Sequence, residues 1–137
     1  MPSSLLPLLA TPVPAGFPSP ADDYVEARID LQRHLCPNSE ATFLMRVAGH
    51  SMADAGIHDG DLLVVDRSLT PTDGSIVIAV LDGEFTVKRL SLSADGQRLC
   101  AANADHPDLL IDADQPLTLW GVVRWSLHKV LPCRVSP

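Results

Sequence analysis

The chain is short of positive charge, of cysteine and of long apolar runs, and each shortage removes a class of function. Ten lysines and arginines stand against seventeen aspartates and glutamates, giving a net charge of −7 and a pI near 4.9. A surface that grips nucleic acid through its phosphates needs a basic face, so direct sequence-specific DNA binding is not expected. Any DNA-related role should run through protein partners. Cys36, Cys100 and Cys133 are odd in number, widely spaced and without CxxC spacing, which suggests neither a disulfide framework nor a zinc site. A reducing cytoplasm is the expected compartment. No stretch approaches the roughly 18–20 apolar residues of a membrane span, and Leu5–Leu9 is interrupted by Pro7 and lacks the basic start of a signal peptide.

At 137 residues the chain has room for one domain with a real core, plus an arm. Six of the twelve prolines fall within residues 1–20. That density forbids a helix and favours an extended, poorly self-bonded arm. Ser19-Pro20-Ala21-Asp22 then reads as a helix start, with Ser19 as N-cap, and Tyr24, Val25, Ile29 and Leu35 suggest a short amphipathic helix. The expected division is an arm over 1–20, a domain over 21–131 and a tail over 132–137.

Thr42–Ala48, Leu62–Asp66, Ser75–Leu81, Glu84–Leu90, Arg98–Ala102 and Leu117–Leu127 are rich in β-formers and separated by turn residues. The fold class is therefore mostly β, a compact domain of twisted antiparallel sheets or partial barrel. Asp82-Gly83 between two such runs is a two-residue hairpin loop, which sets Leu81 opposite Glu84 and, counting back, Val77 opposite Lys88. Alternation within its own strand groups Lys88 with Glu84, Thr86 and Leu90. The partner strand adds Val77, Ala79 and Leu81 to that face and puts Ile76, Ile78 and Val80 on the other. Both faces of the hairpin are expected to be covered.

Ser51 and Lys88 are the residues that carry chemistry. A serine hydroxyl is a weak nucleophile and a lysine with the ordinary pKa of about 10.4 is protonated at neutral pH. Burial beside Val77 disfavours the ammonium, and a neutral amine can take the hydroxyl proton during attack on a carbonyl and hand it to the leaving nitrogen. Ser51-Met52-Ala53-Asp54 has capping-box spacing, so Ser51 taken alone reads as an N-cap. Backbone N–H groups at the start of such a turn, that of Met52 included, could hold the oxyanion. Ala15-Gly16 is readable as a flexible joint or as a small, accessible peptide bond. The five histidines do not make a triad, since G-x-S-x-G is absent and His50 is adjacent to Ser51. His58-Asp59-Gly60-Asp61 and Asp105-His106-Pro107-Asp108 read as turns rather than metal sites. Trp120 and Trp125 read as core or dimer surface rather than a base-stacking platform.

Gly16-Phe17-Pro18-Ser19-Pro20-Ala21, Asp23-Tyr24-Val25-Glu26, Arg28-Ile29-Asp30-Leu31, Ser51-Met52, Asp59-Gly60-Asp61-Leu62-Leu63 and Asp82-Gly83-Glu84-Phe85-Thr86-Val87-Lys88 together resemble the UmuD-type proteins of SOS mutagenesis, relatives of the LexA repressor's self-cleaving domain. The resemblance runs from about Ala15 to Leu131. It implies a LexA C-terminal-domain-like fold, Ser51 as nucleophile, Lys88 as general base and Ala15–Gly16 as the bond cut, with no cofactor. It also implies stimulation by a RecA filament on single-stranded DNA, and a shortened homodimer that joins a UmuC-like Y-family polymerase subunit for translesion synthesis. Other readings are a polymerase-binding module with a vestigial dyad, or a truncated repressor relative. Against the repressor, the 15 residues before the expected cut are too few for a helix-turn-helix domain.

Overall fold

The computed structural model describes residues 5–10, 12–16, 25–103, 109–110 and 117–132. Two compact units divide at Pro37/Asn38. In the first, strand β1 (Leu5–Leu9) pairs antiparallel with β2 (Val25–Asp30), Leu5 opposite Asp30 and Leu8 opposite Ala27. The arm is thus hydrogen-bonded over Leu5–Leu9, contrary to the expectation from its prolines. Pro7 falls opposite Arg28 in a two-stranded sheet, and an edge strand of this kind is where proline is tolerated. The expected helix over Tyr24–Leu35 is also corrected: Val25 and Ile29 lie in β2, and helix α1 spans only Leu31–Leu35. Its N-cap is Asp30, whose carboxylate accepts from the Arg33 N–H at 3.2 Å. Ser19 lies outside the described residues.

The second unit is mostly β, as its sequence pattern requires. Strands β3 (Thr42–Arg46), β4 (Leu62–Asp66), β5 (Ile76–Leu81), β6 (Glu84–Ser93), β7 (Gly96–Cys100), β8 (Leu109–Leu110) and β9 (Leu117–Leu127) form one antiparallel sheet in the order β3-β4-β9-β5-β6-β7-β8. The β5–β6 register matches the hairpin derived from Asp82-Gly83, down to Val77 opposite Lys88. Both loop residues have positive φ, 51° and 82°, as that turn demands. The two faces of β5 enter different cores. Ile78 joins Val47, Met52, Ile57, Leu63 and Val65, while Val77 and Ala79 pack with Leu90 and Leu99.

Strand β9 is inserted between β4 and β5, and its register slips against each. Ile78 pairs with Gly121 and Ala79 with Leu119, which leaves Trp120 as the extra residue. Val64 pairs with Trp125 and Val65 with Val123, which leaves Arg124 as another. Bulges of this kind re-aim side chains. Trp120 packs against Phe43 and Phe85 at centroid distances of 5.2 and 5.5 Å. Arg124 donates to Asp66, which is fully buried, at 2.9 Å.

Gly121 marks the tightest approach. A Cβ there would lie 2.6 Å from Cγ1 of Val65, a buried β-branched side chain that cannot swing aside. Gly121→Ala is expected to destabilise the domain by about 1–3 kcal/mol through overpacking, read as a lowered midpoint in thermal unfolding followed by circular dichroism.

Candidate active site

Ser51 sits half-buried on a turn that other elements hold rigid. Gly49 opens it with φ of 96°, and its N–H donates to Asp59 Oδ1 at 2.7 Å. The His50 carbonyl accepts from Ala53 N–H and Asn103 Nδ2, at 3.1 and 2.8 Å. The Ser51 carbonyl accepts from the Ala102 N–H at 2.8 Å, and the Ala102 carbonyl accepts from Asp54 N–H. The segment after β7 therefore grips the turn on both sides of the serine. Below it, the Met52 side chain is almost fully buried in the first core.

These bonds decide what the serine is not. Ser51-to-Asp54 spacing is that of a capping box, yet the 3-10 turn Ala53–Ala55 takes Met52 as its N-cap and has no side-chain cap bond. The Asp54 N–H is already used by Ala102. The Ser51 hydroxyl is left uncommitted, and neither the Ser51 nor the Met52 N–H donates to any group among the described residues.

Beside this turn lies a cavity of about 200 Å³. The end of β3 and the residues after it, Met45 to Ala48, form one wall with Ser51, and Phe85, Thr86 and Val87 of β6 form the other. Leu63 and Ile78 also line it, while Arg46, Ser51 and Thr86 give its surface a polar share as well. Lys88 follows directly on the β6 wall and is half-buried. Burial pushes its amine below the ordinary lysine pKa. Strand alternation sets Lys88 with Val77 and Leu90, on the opposite face from Val87, and its amine makes no hydrogen bond with the Ser51 hydroxyl. Ala15 and Gly16 belong to the first unit, where both form an exposed bend; a Cβ added to Gly16 would meet nothing within 4 Å.

The structure adds a polar cluster that the sequence pattern presents only as turn residues. Asp61 is buried and accepts from His58 N–H, Ser126 Oγ and His128 Nδ1. Burial pushes its pKa up, but the hydrogen bonds from His58, His128 and Ser126 outweigh burial and hold it below the ordinary carboxylate value. Its backbone carbonyl accepts from Val47, and Gly60 N–H donates back to the Val47 carbonyl, so the cluster backs the strand end leading into the Ser51 turn. The His58–Asp61 turn reading holds, with Gly60 at φ of 87°; residues 105–108 lie outside the described residues. Of the tryptophans, Trp120 packs on the first core while Trp125 is 43% exposed. No helix among the described residues is long and apolar enough to cross a membrane.

Known proteins match almost the whole chain. The family described as Peptidase S24-like matches residues 7–124. Protein MucA of Salmonella typhimurium is 46% identical over 129 residues, covering 93% of this chain and 88% of the relative. Protein SamA of Salmonella typhimurium strain LT2 is 45% identical over 126 residues, 92% of this chain and 87% of the relative. Protein ImpA of Shigella flexneri is 42% identical over 132 residues, 96% of this chain and 90% of the relative. Together with the antiparallel β fold and the motifs around Ser51 and Lys88, these matches show that the chain belongs to the Peptidase S24-like family, among its UmuD-type SOS mutagenesis proteins.

Proposed function

We infer that this chain is a self-cleaving serine endopeptidase in which Ser51 attacks the Ala15 carbonyl and Lys88 acts as general base. The observation that carries this reading is the Ser51 hydroxyl, free of any capping role, on the wall of a cleft whose facing strand runs directly into a lysine with a burial-lowered pKa. In the first step the neutral Lys88 amine takes the proton from Ser51 Oγ as Oγ bonds to the Ala15 carbonyl carbon. The N–H groups of Ser51 and Met52, unpaired among the described residues, are the donors available to the resulting oxyanion. Lys88 then returns the proton to the Gly16 nitrogen, the peptide bond breaks, and water releases the acyl group from Ser51.

Hydroxyl and amine are not bonded to each other in the described conformation, so assembly of the dyad is a separate step. A protein that is its own substrate needs such a latency. A RecA filament on single-stranded DNA would act by favouring the assembled state, which requires only differential affinity for it. Cleavage in the cytoplasm would convert the chain to a form over residues 16–137, a homodimer serving a UmuC-like Y-family polymerase subunit in translesion synthesis.

Incubation of the full chain with RecA, nucleotide and single-stranded DNA, followed by intact-mass measurement, is expected to yield a fragment beginning at Gly16. A chain that stays whole both there and on prolonged incubation at alkaline pH favours the reading as a non-catalytic polymerase-binding module.

A further inference from the structure

Two consecutive carbonyls of the Ser51 turn are held by two consecutive residues after β7. The His50 carbonyl accepts from Asn103 Nδ2 and the Ser51 carbonyl from the Ala102 N–H, each at 2.8 Å. Such a pair of bonds sets direction as well as position. In a trans peptide the N–H lies anti to the C=O of the same planar unit, and no described peptide bond is cis. Holding the His50 carbonyl on Asn103 therefore turns the Ser51 N–H away from that residue, and holding the Ser51 carbonyl on Ala102 turns the Met52 N–H away likewise. Residues 101–103 are absent from the walls of the cleft that Ser51 lines, so the grip comes from outside it. The two holds differ in kind. Ala102 uses its backbone, which almost any residue supplies, whereas the hold on His50 exists only because residue 103 carries a side-chain donor. The Ala53 N–H reaches the same carbonyl at 3.1 Å, but from within the turn, so it cannot tie that carbonyl to the rest of the domain.

We propose that Asn103 is a positioning residue for the oxyanion site: its side-chain amide fixes the His50–Ser51 peptide unit so that the Ser51 N–H, with that of Met52, is aimed at the oxygen that becomes negative when Ser51 attacks the Ala15 carbonyl. The proposal rests on the self-cleavage reading above and adds to it a residue that touches neither the substrate nor the base. Donors fixed in advance are effective because they need no reorganisation as charge develops. A donor bound at the carbonyl also polarises the peptide unit, which strengthens its N–H as a donor in turn. Without the Asn103 amide the His50–Ser51 unit is free to rotate. Misplacement by about 1 Å at a reacting centre can cost about 100-fold in rate.

The test is spontaneous cleavage of the full chain over an alkaline pH series, in the unaltered protein, Asn103→Ala and Asn103→Asp. The aspartate keeps the acceptor oxygen and the shape of the side chain and loses only the donor. Both variants are expected to lower the plateau rate by about 10–100-fold while the pH of half-maximal rate stays in place, because Lys88 is untouched. NMR of the labelled protein supplies a second readout: the Ser51 amide nitrogen should shift in both variants, since its peptide unit loses a bond at the carbonyl. A plateau within about twofold of the unaltered rate overturns the proposal. So does a moved half-maximal pH at an unchanged plateau, which would assign Asn103 to the base, and so does a slower rate without the Ser51 shift, which a general loosening of the fold would give. If the unaltered chain itself stays whole, the self-cleavage reading fails and takes this proposal with it; if that chain cuts and the variants cut equally well, the proposal fails alone. Should both variants fold poorly, the scalar coupling across the hydrogen bond between the Asn103 side-chain nitrogen and the His50 carbonyl carbon decides in the unaltered protein: its presence supports the hold and its absence rejects it.

Discussion

Ser51→Ala and Lys88→Ala are each expected to reduce conversion to the Gly16-started form by at least about 1,000-fold, because members of such a unit fail together rather than additively. Lys88→Arg separates charge from base chemistry. An arginine side chain preserves the positive charge but does not deprotonate, so this variant should be as inactive as the alanine. The pH dependence follows from the direction of the lysine shift. Burial beside Val77 and Leu90 lowers the Lys88 pKa, so the neutral, proton-accepting amine becomes populated at lower pH than for an ordinary lysine. Spontaneous cleavage should rise with pH and level off before the ordinary lysine value of 10.5 is reached. Mass measurement over a pH series checks this. A flat profile, or normal cleavage by Lys88→Ala, removes Lys88 as the base.

The second large effect concerns stability. Asp66 is fully buried at the end of β4 and accepts from Ser68 N–H and Oγ, Asn38 Nδ2 and Arg124 Nε, at 2.6–2.9 Å. Burial by itself would raise its pKa, but the bonds from Ser68, Asn38 and Arg124 prevail and hold the carboxyl far below its ordinary range. Asp66→Ala leaves the Arg124 guanidinium facing a cavity without its counter-charge and removes the Asp66 bonds of Asn38 and Ser68, whose side chains keep the bond between them at 3.1 Å. The expected loss is about 3–5 kcal/mol, the size seen when one member of a buried ion pair is removed. A domain of ordinary stability would be near its limit after such a loss. Denaturant unfolding of Asp66→Ala against the unaltered chain measures it, and a difference under about 1 kcal/mol contradicts the assignment.

The same carboxyl governs acid sensitivity. With the folded pKa below the unfolded one, the unfolded chain binds the proton more readily, so the stabilisation is complete above the unfolded value of about 3.9. It is lost as pH falls below that value towards the folded pKa. Asp61, lowered as well, acts in the same direction. Midpoints measured between neutral pH and pH 3 should fall steeply at the acid end, and less steeply in Asp66→Ala where that variant folds.

The parts of this protein that its sequence determines unaided are those governed by near neighbours along the chain. Asp82-Gly83 specifies a hairpin loop with both residues at positive φ, and that loop alone sets the β5–β6 register that buries Lys88 beside Val77. Alternation with period two places Ile78 and Val77 on opposite faces, each facing a core. The motifs from Gly16 to Lys88 are likewise runs of adjacent residues, and taken together they point to the family. Tertiary structure decides whatever depends on partners far apart in sequence. The Ser51 turn resembles a capping box locally, yet Ala102 takes the Asp54 N–H and the hydroxyl is left uncommitted. Prolines argue for an unbonded arm, yet Leu5–Leu9 finds β2. Helical spacing over Val25–Ile29 yields to that pairing, because a strand partner satisfies the backbone that a short isolated helix could hardly stabilise. Insertion of β9 between β4 and β5 brings Arg124 to Asp66, 58 residues away, and His128 to Asp61, 67 residues away. No local propensity encodes such pairs. Their stability depends on burial, and burial exists only once the sheet has closed around them.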